Sequence, residues 1–211
     1  MKTKLALLVA LLCPGLALTG CPKDKSNLTE PGQGSTTSVA PVSGSPRVEL
    51  STTLGKIKLE LDAAKAPKTV ANFLGYVRSG HYSGTLFHRV IAEFMIQGGG
   101  FDTSYNEKPA PSRVKNEADN GLSNKRGTVA MARTPDPDSA GSQFFINVVD
   151  NEKLDHREKT PEGWGYCVFG KVIEGMDVVD KIRAVATGSK GPFPTDVPLT
   201  EVVINEAKIV N

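Results

Sequence analysis

Beyond residue 46, apolar and polar positions follow two clear periods. In RVELSTTLGKIKLELD (47–62), Val48 and Leu50, then Ile57, Leu59 and Leu61, recur at every second position around the turn-like TTLG. That period belongs to half-buried strands, and the arrangement predicts a hairpin. APKTVANFLGYVRSG (66–80) changes period: Val70, Phe73, Leu74 and Val77 recur at i, i+3, i+4 and i+7. This predicts a helix, with Pro67 suited to its first turn and Gly80 to its exit. MDVVDKIRAV (176–185) predicts a second helix, with Met176, Val179 and Ile182 on one side. TLFHRVI, EFMIQG, GTVAMAR, SQFFINVV, YCVFGKVI and EVVINEAKIV read as further short strands. Many strands with two helices predict a mainly β domain, an antiparallel barrel closed at its ends by helices.

Period two also sorts side chains between faces. In EFMIQG, Met95 and Gln97 point one way and Phe94 and Ile96 the other; in SQFFINV, Gln143 and Phe145 share a face opposite Phe144, Ile146 and Val148. The Phe-Ile-Val set suits the interior of a small barrel. The other face then gathers Met95, Gln97, Gln143 and Phe145, a mixture suited to a binding groove. Phe94 joins them only if the turn at Ala92-Glu93 re-aims it.

The N-terminal part is of another kind. MKTK followed by LALLVALLCPGLAL has the pattern of a signal peptide, and its apolar run is short and broken by Pro14 and Gly15. It ends in Leu18-Thr19-Gly20-Cys21, which resembles the bacterial lipobox. Residues 1–20 are therefore expected to be a lipoprotein signal peptide and Cys21 the lipidated residue, anchoring the chain outside the cytoplasm on the periplasmic face of a membrane. A plain secretory signal with an incidental cysteine is the competing reading. Residues 21–46 are rich in Ser, Thr, Gly and Pro and poor in large apolar side chains, which predicts a flexible tether with a reach of about 25–30 Å. Residues 47–211 form the single domain.

Charge and cysteines narrow the chemistry. Of 25 Lys and Arg, two (Lys2 and Lys4) belong to the signal, and the rest balance the 23 Asp and Glu. No basic field remains to attract nucleic acid. With Cys13 removed and Cys21 acylated, Cys167 is left without a disulfide partner and reads as a small buried hydrophobe. His81, His88 and His156 have no metal-ligand spacing. His88 is expected as a hydrogen-bonded structural residue on the strand face opposite Arg89. Asp136-Pro137-Asp138 reads as a turn and Gly98–Gly100 as a tight backbone path. Arg89, taken alone, reads as a structural partner of Gln97 or Glu93.

FHRVIAEFMIQGGG (87–100), then GTVAMART, GSQFFINV, Leu154-Asp155 and YCVFGKV, resembles the cyclophilins, a family of peptidyl-prolyl cis-trans isomerases, across essentially all of 47–211. KNEADNGLSNKRG (115–127) and Tyr166 resemble the bacterial exported branch. The resemblance implies an eight-stranded antiparallel barrel capped by two helices, acting as a monomer without metal or cofactor on proline-containing segments of exported or unfolded proteins. It implies that Arg89 is the catalytic guanidinium and that Gln97 holds it. Phe94, Met95, Phe145 and Leu154 would take the proline ring. Ala132, Arg133, Thr134 and Gln143 would line the side of the preceding residue, with Tyr166 beside the pocket. Lys153 stands where cyclosporin-sensitive members have tryptophan, and Ala92-Glu93 replaces the usual Pro-Gly. A non-catalytic binding module or holdase chaperone of the same shape is the alternative function.

Overall fold

The computed structural model describes residues 45–211. The expected signal peptide, Cys21 and the tether up to Gly44 lie outside the described residues.

Strands β1 (Arg47–Thr52) and β2 (Gly55–Leu61) form the expected hairpin, in register from Arg47 opposite Glu60 to Thr52 opposite Gly55. Its alternation is physical: Val48, Leu50, Ile57, Leu59 and Leu61 are all buried. Helix α1 (Pro67–Arg78) starts with Pro67 in its first turn and buries Val70, Phe73, Leu74 and Val77. Ala66 offers it no side-chain cap. Glu117 does so from a distant segment, accepting the N–H groups of Lys68 (3.2 Å) and Thr69 (2.8 Å) and the Thr69 hydroxyl (2.8 Å). A carboxylate there satisfies unpaired helical donors and opposes the positive end of the helix dipole.

The remaining strands are β3 (Thr85–Leu86), β4 (Arg89–Ile91), β5 (Met95–Gly98), β6 (Thr128–Met131), β7 (Phe144–Asn147) and β8 (Val168–Glu174). Helix α2 (Met176–Arg183), a hairpin of β9 (Thr187–Lys190) and β10 (Phe193–Pro198), and β11 (Val203–Val210) follow. The main sheet runs β3-β11-β1-β2-β8-β6-β7-β5-β4, with antiparallel pairing throughout. Its edge strands β3 and β4 belong to one chain segment, interrupted at Phe87-His88. Counted as one interrupted strand, they reduce the nine to the expected eight and bring the two sheet edges together. The hairpin β9–β10 was not expected and forms a separate two-stranded sheet.

Two apolar layers result. The interior cluster includes Phe73, Ile96, Phe144, Ile146, Val148 and Phe169. Burying each such large side chain contributes roughly 1.5–3 kcal/mol. Met95, Ala130, Phe145 and Val168 form a second cluster with Phe94, Ala132, Leu154 and Tyr166 packed against it. Cys167 is buried, and its burial pushes the thiol pKa up to about 11, so it stays a protonated thiol at neutral pH.

Candidate functional site

The pairing register builds the site. Arg89 on β4 lies opposite Gln97 on β5, Gln97 opposite Phe145 on β7, and Phe145 opposite Ala130 on β6. Directly opposed residues share a face, so this is one row across four strands, cationic and polar at one end and apolar at the other. Met95 lies two residues from Gln97 on the same face.

Phe94 reaches this face through a turn. Its N–H donates to Ile91 O at 3.0 Å, and its carbonyl accepts from Val148 N–H (3.2 Å) and Asn151 Nδ2 (2.8 Å). Arg183 of α2 secures the same turn, donating to Ala92 O at 3.1 Å and pairing with Glu93 at 3.5 Å. The Lys153 ammonium lies 4.8 Å from the centre of the Phe94 ring, so this lysine stands at the groove rim.

The groove has a volume of about 410 Å³ and is lined by His88, Arg89, Phe94, Met95, Gln97, Phe101, Ala132, Arg133, Gln143, Phe145, Leu154, Tyr166 and Phe193. Every site residue expected in the domain is therefore present except Thr134. That residue lines an adjoining cavity of about 440 Å³, which shares Gln97, Ala132, Arg133 and Gln143 with the groove. Trp164 packs against His156, with ring centres 5.0 Å apart, and is not among the groove's lining residues.

Three expected contacts are different. Gln97 was expected to hold Arg89; instead its Nε2 donates to Gln143 Oε1 at 2.9 Å. The ion pair of Arg89 is with Asp196 of β10, Nε to Oδ2 at 3.6 Å, and not with Gln97 or Glu93. His88 was expected as a hydrogen-bonded residue on the face opposite Arg89; it lines the groove as Arg89 does, and its buried Nδ1 has no partner. Its ring lies 4.7 Å from that of Phe101 and 5.5 Å, stacked, from that of Phe193. Burial among these rings pushes the imidazole pKa down to about 4; the nearby Leu86 backbone opposes part of that effect, and the neighbouring Arg89 charge adds to it. His88 is therefore neutral at neutral pH.

Arg133 is held rather than free: Nε donates to Gly165 O at 2.9 Å, and the terminal nitrogens donate to Thr134 O (2.9 Å) and Pro161 O (3.2 Å). Its guanidinium lies 4.8 Å from the centre of the Tyr166 ring, which stiffens that wall. The glycine run has a steric reason. At Gly100 a Cβ would lie 2.5 Å from the Gln143 side chain, and Gly99 has φ +85° with Tyr82 2.8 Å from where its Cβ would be. Phe101, Phe193 and Asp196 were missed in the sequence. Phe101 directly follows the glycine run, which is a weak signal; the other two sit in the unexpected hairpin.

Such a surface offers a permanent cation beside a largely apolar pocket, with carboxamides at its edge. It can grip an apolar ring and donate to a nitrogen next to it.

Comparison with known proteins agrees. Residues 47–209 match the model for the cyclophilin type peptidyl-prolyl cis-trans isomerase/CLD family. A peptidyl-prolyl cis-trans isomerase of Streptomyces antibioticus is 62% identical over 163 residues, 77% of this chain and 98% of that protein. Peptidyl-prolyl cis-trans isomerase B of Escherichia coli is 53% identical over 162 residues, again 77% of this chain and 98% of the relative. A crystal structure of a Cryptosporidium parvum cyclophilin type isomerase, in the presence of the dipeptide Ala-Pro, superposes with a TM-score of 0.66 at 30% identity, covering 78% of this chain and 99% of the other.

Proposed function

The chain belongs to the cyclophilin-type peptidyl-prolyl cis-trans isomerase family and is an isomerase of that type, and on that premise we propose that Arg89 turns X-Pro bonds in the outer groove. The reaction breaks no covalent bond. Rotation is slow because resonance gives the peptide C–N bond double-bond character, with a barrier of about 18–20 kcal/mol. In the twisted state the prolyl nitrogen regains its lone pair and can accept a hydrogen bond that the planar amide cannot. Arg89 supplies the donor, since a guanidinium stays protonated at any working pH and its fork is rigid. Phe94, Met95, Phe145 and Leu154 hold the ring, while Gln97 and Gln143 meet the substrate backbone. The apolar walls exclude water that would weaken the Arg89 hydrogen bond, so binding favours the twisted state over either planar one.

The observation that carries this reading is the cross-strand row from Arg89 through Gln97 to Phe145, which sets donor and ring pocket on one face across three neighbouring strands. The test is isomerisation of a proline peptide by the soluble domain and its Arg89→Ala variant. Loss of one transition-state donor should lower kcat/KM by roughly 10²–10³-fold, or about 2.7–4 kcal/mol. Wild-type turnover in the folded variant would refute the role.

The working place of the enzyme is part of the proposal. The signal-like N-terminus, Leu18-Thr19-Gly20-Cys21 and the polar stretch after it support a lipid-anchored isomerase that assists folding of exported proteins from a tether. Membrane fractionation with mass spectrometry tests this: Cys21 should carry acyl chains, and Cys21→Ser should release the protein or block its processing. An unmodified soluble N-terminus starting elsewhere would overturn the anchor.

A further inference from the structure

The hairpin β9–β10 is firmly seated. Phe193 packs edge-on against Phe101 with ring centres 5.0 Å apart and stacks on His88, and Val197 is buried. Lys190 pairs with Glu201 at 3.0 Å, and Ser189 Oγ donates to Phe193 O at 3.2 Å. Asp196 sits in this frame with φ +65°, in the left-handed region that Asp and Asn enter more easily than most residues. It lies in the irregular stretch between the paired positions Phe193 and Val197, directly before the buried Val197, which ties its carboxylate to the seated hairpin. It meets Arg89 Nε at 3.6 Å, with Arg89 44% and Asp196 34% exposed. An exposed pair of this kind contributes little to folding stability. Its effect is local: a long side chain with several rotamers is biased towards one placement by its Nε edge. Among the described residues no side-chain hydrogen bond occupies the terminal nitrogens of Arg89, so the pair leaves them for the substrate.

We propose that Asp196 is a positioning residue for Arg89, and that the hairpin β9–β10 serves as the wall from which the catalytic guanidinium is aimed. The inference rests on Arg89 being the donor. It divides the labour in the groove: Gln97 and Gln143 engage each other, so the alignment of Arg89 comes from outside the barrel sheet.

The experiment is a double-mutant cycle on the full domain, combining Asp196→Asn with Arg89→Lys. Asn tolerates the same left-handed backbone, so the hairpin is retained, which thermal unfolding and circular dichroism would verify. Asp196→Asn should lower kcat/KM by about three- to tenfold, as one long side chain must now be ordered during the reaction. The loss should lie in kcat, with KM nearly unchanged. In the Arg89→Lys background the same substitution should have little further effect, because the group it positions is gone. The Arg89 Nε–H resonance should shift in Asp196→Asn, a signature that a purely structural role would not produce. Full activity of Asp196→Asn with an unshifted Nε–H, or an equal loss in both backgrounds, overturns the positioning role while leaving Arg89 as donor. Full activity of Arg89→Lys and of Arg89→Ala would instead remove the donor reading, and this inference with it.

Discussion

Acidification should destabilise this fold through His88 well before most carboxylates titrate. The imidazole is 3% exposed, its Nδ1 has no side-chain partner, and the rings of Phe101 and Phe193 pack against it. Its folded pKa is pushed down to about 4 by burial, against an ordinary 6.5. Between those values the unfolded chain binds a proton that the folded chain refuses, so stability falls as pH falls through that window. The contribution is fully present above about pH 6.5 and exhausted below about pH 4. The gap of two and a half pH units, at about 1.4 kcal/mol each, sets a limit of about 3 kcal/mol, of which roughly 2 kcal/mol is lost by pH 5. For a domain of this length that corresponds to a Tm lower by about 4–8 °C at pH 5 than at pH 7.5. His81 acts in the same direction, since its own burial lowers its pKa. The informative quantity is therefore the difference between wild type and His88→Phe, followed by urea unfolding at several pH values. The wild-type curve should fall more steeply between pH 6.5 and 4, with the two profiles parallel above pH 7. Parallel profiles across the whole range, or a ring titration near pH 6.5 by NMR in the folded protein, would refute the reasoning.

Glu117→Ala should cost about 1–2 kcal/mol, because it strips the N–H groups of Lys68 and Thr69 at the start of α1 of their acceptor and leaves the buried Thr69 hydroxyl only the weak partner Cys167 Sγ at 3.5 Å; denaturant unfolding measures it, and a change within error would show that water replaces the carboxylate. Cyclosporin should inhibit weakly, since a lysine at the rim, 4.8 Å from the Phe94 ring centre, offers a charged stem where sensitive relatives offer an indole, and Trp164 is committed to His156 instead. Lys153→Trp should tighten inhibition by more than about tenfold while leaving peptide turnover nearly unchanged; tight inhibition of the unsubstituted domain would disprove it.

Local periodicity was enough for what the barrel interior required. Alternation in SQFFINV placed Phe144, Ile146 and Val148 in the core and Phe145 outside, because both neighbours of β7 impose the same pleat. The same rule correctly put Met95 with Gln97, and it could include Phe94 only through the turn that the structure indeed contains. The hairpin β9–β10 was illegible for a physical reason. TGSKGPFPTDVP has no apolar alternation and contains two prolines inside β10, and what holds it are contacts with residues far away in the chain, Phe101, His88 and Tyr105. The partner of Arg89 was missed for the same reason: local reasoning offers Gln97 or Glu93, whereas the ion pair comes from Asp196.

The error at His88 has a deeper cause, and it locates the site within the barrel. Alternation assumes one unbroken strand, yet residues 85–91 pair with β11 before Phe87-His88 and with β5 after them. The phase of the pleat resets across that break. Phe87 remains in the core, while His88 and Arg89, consecutive in sequence, both line the groove. An uninterrupted strand could present only every second residue to that face. The seam where the two sheet edges meet is thus where a cation, a neutral imidazole and the docked β9–β10 hairpin can converge on one surface. A continuous strand through Phe87-His88 would strengthen the ladder but turn His88 away from the groove. Phe193 would then lose its stacking partner, and the hairpin that carries Asp196 would lose part of its seat. The break weakens the ladder locally and makes room for the hairpin wall of the groove, to which Phe193 contributes.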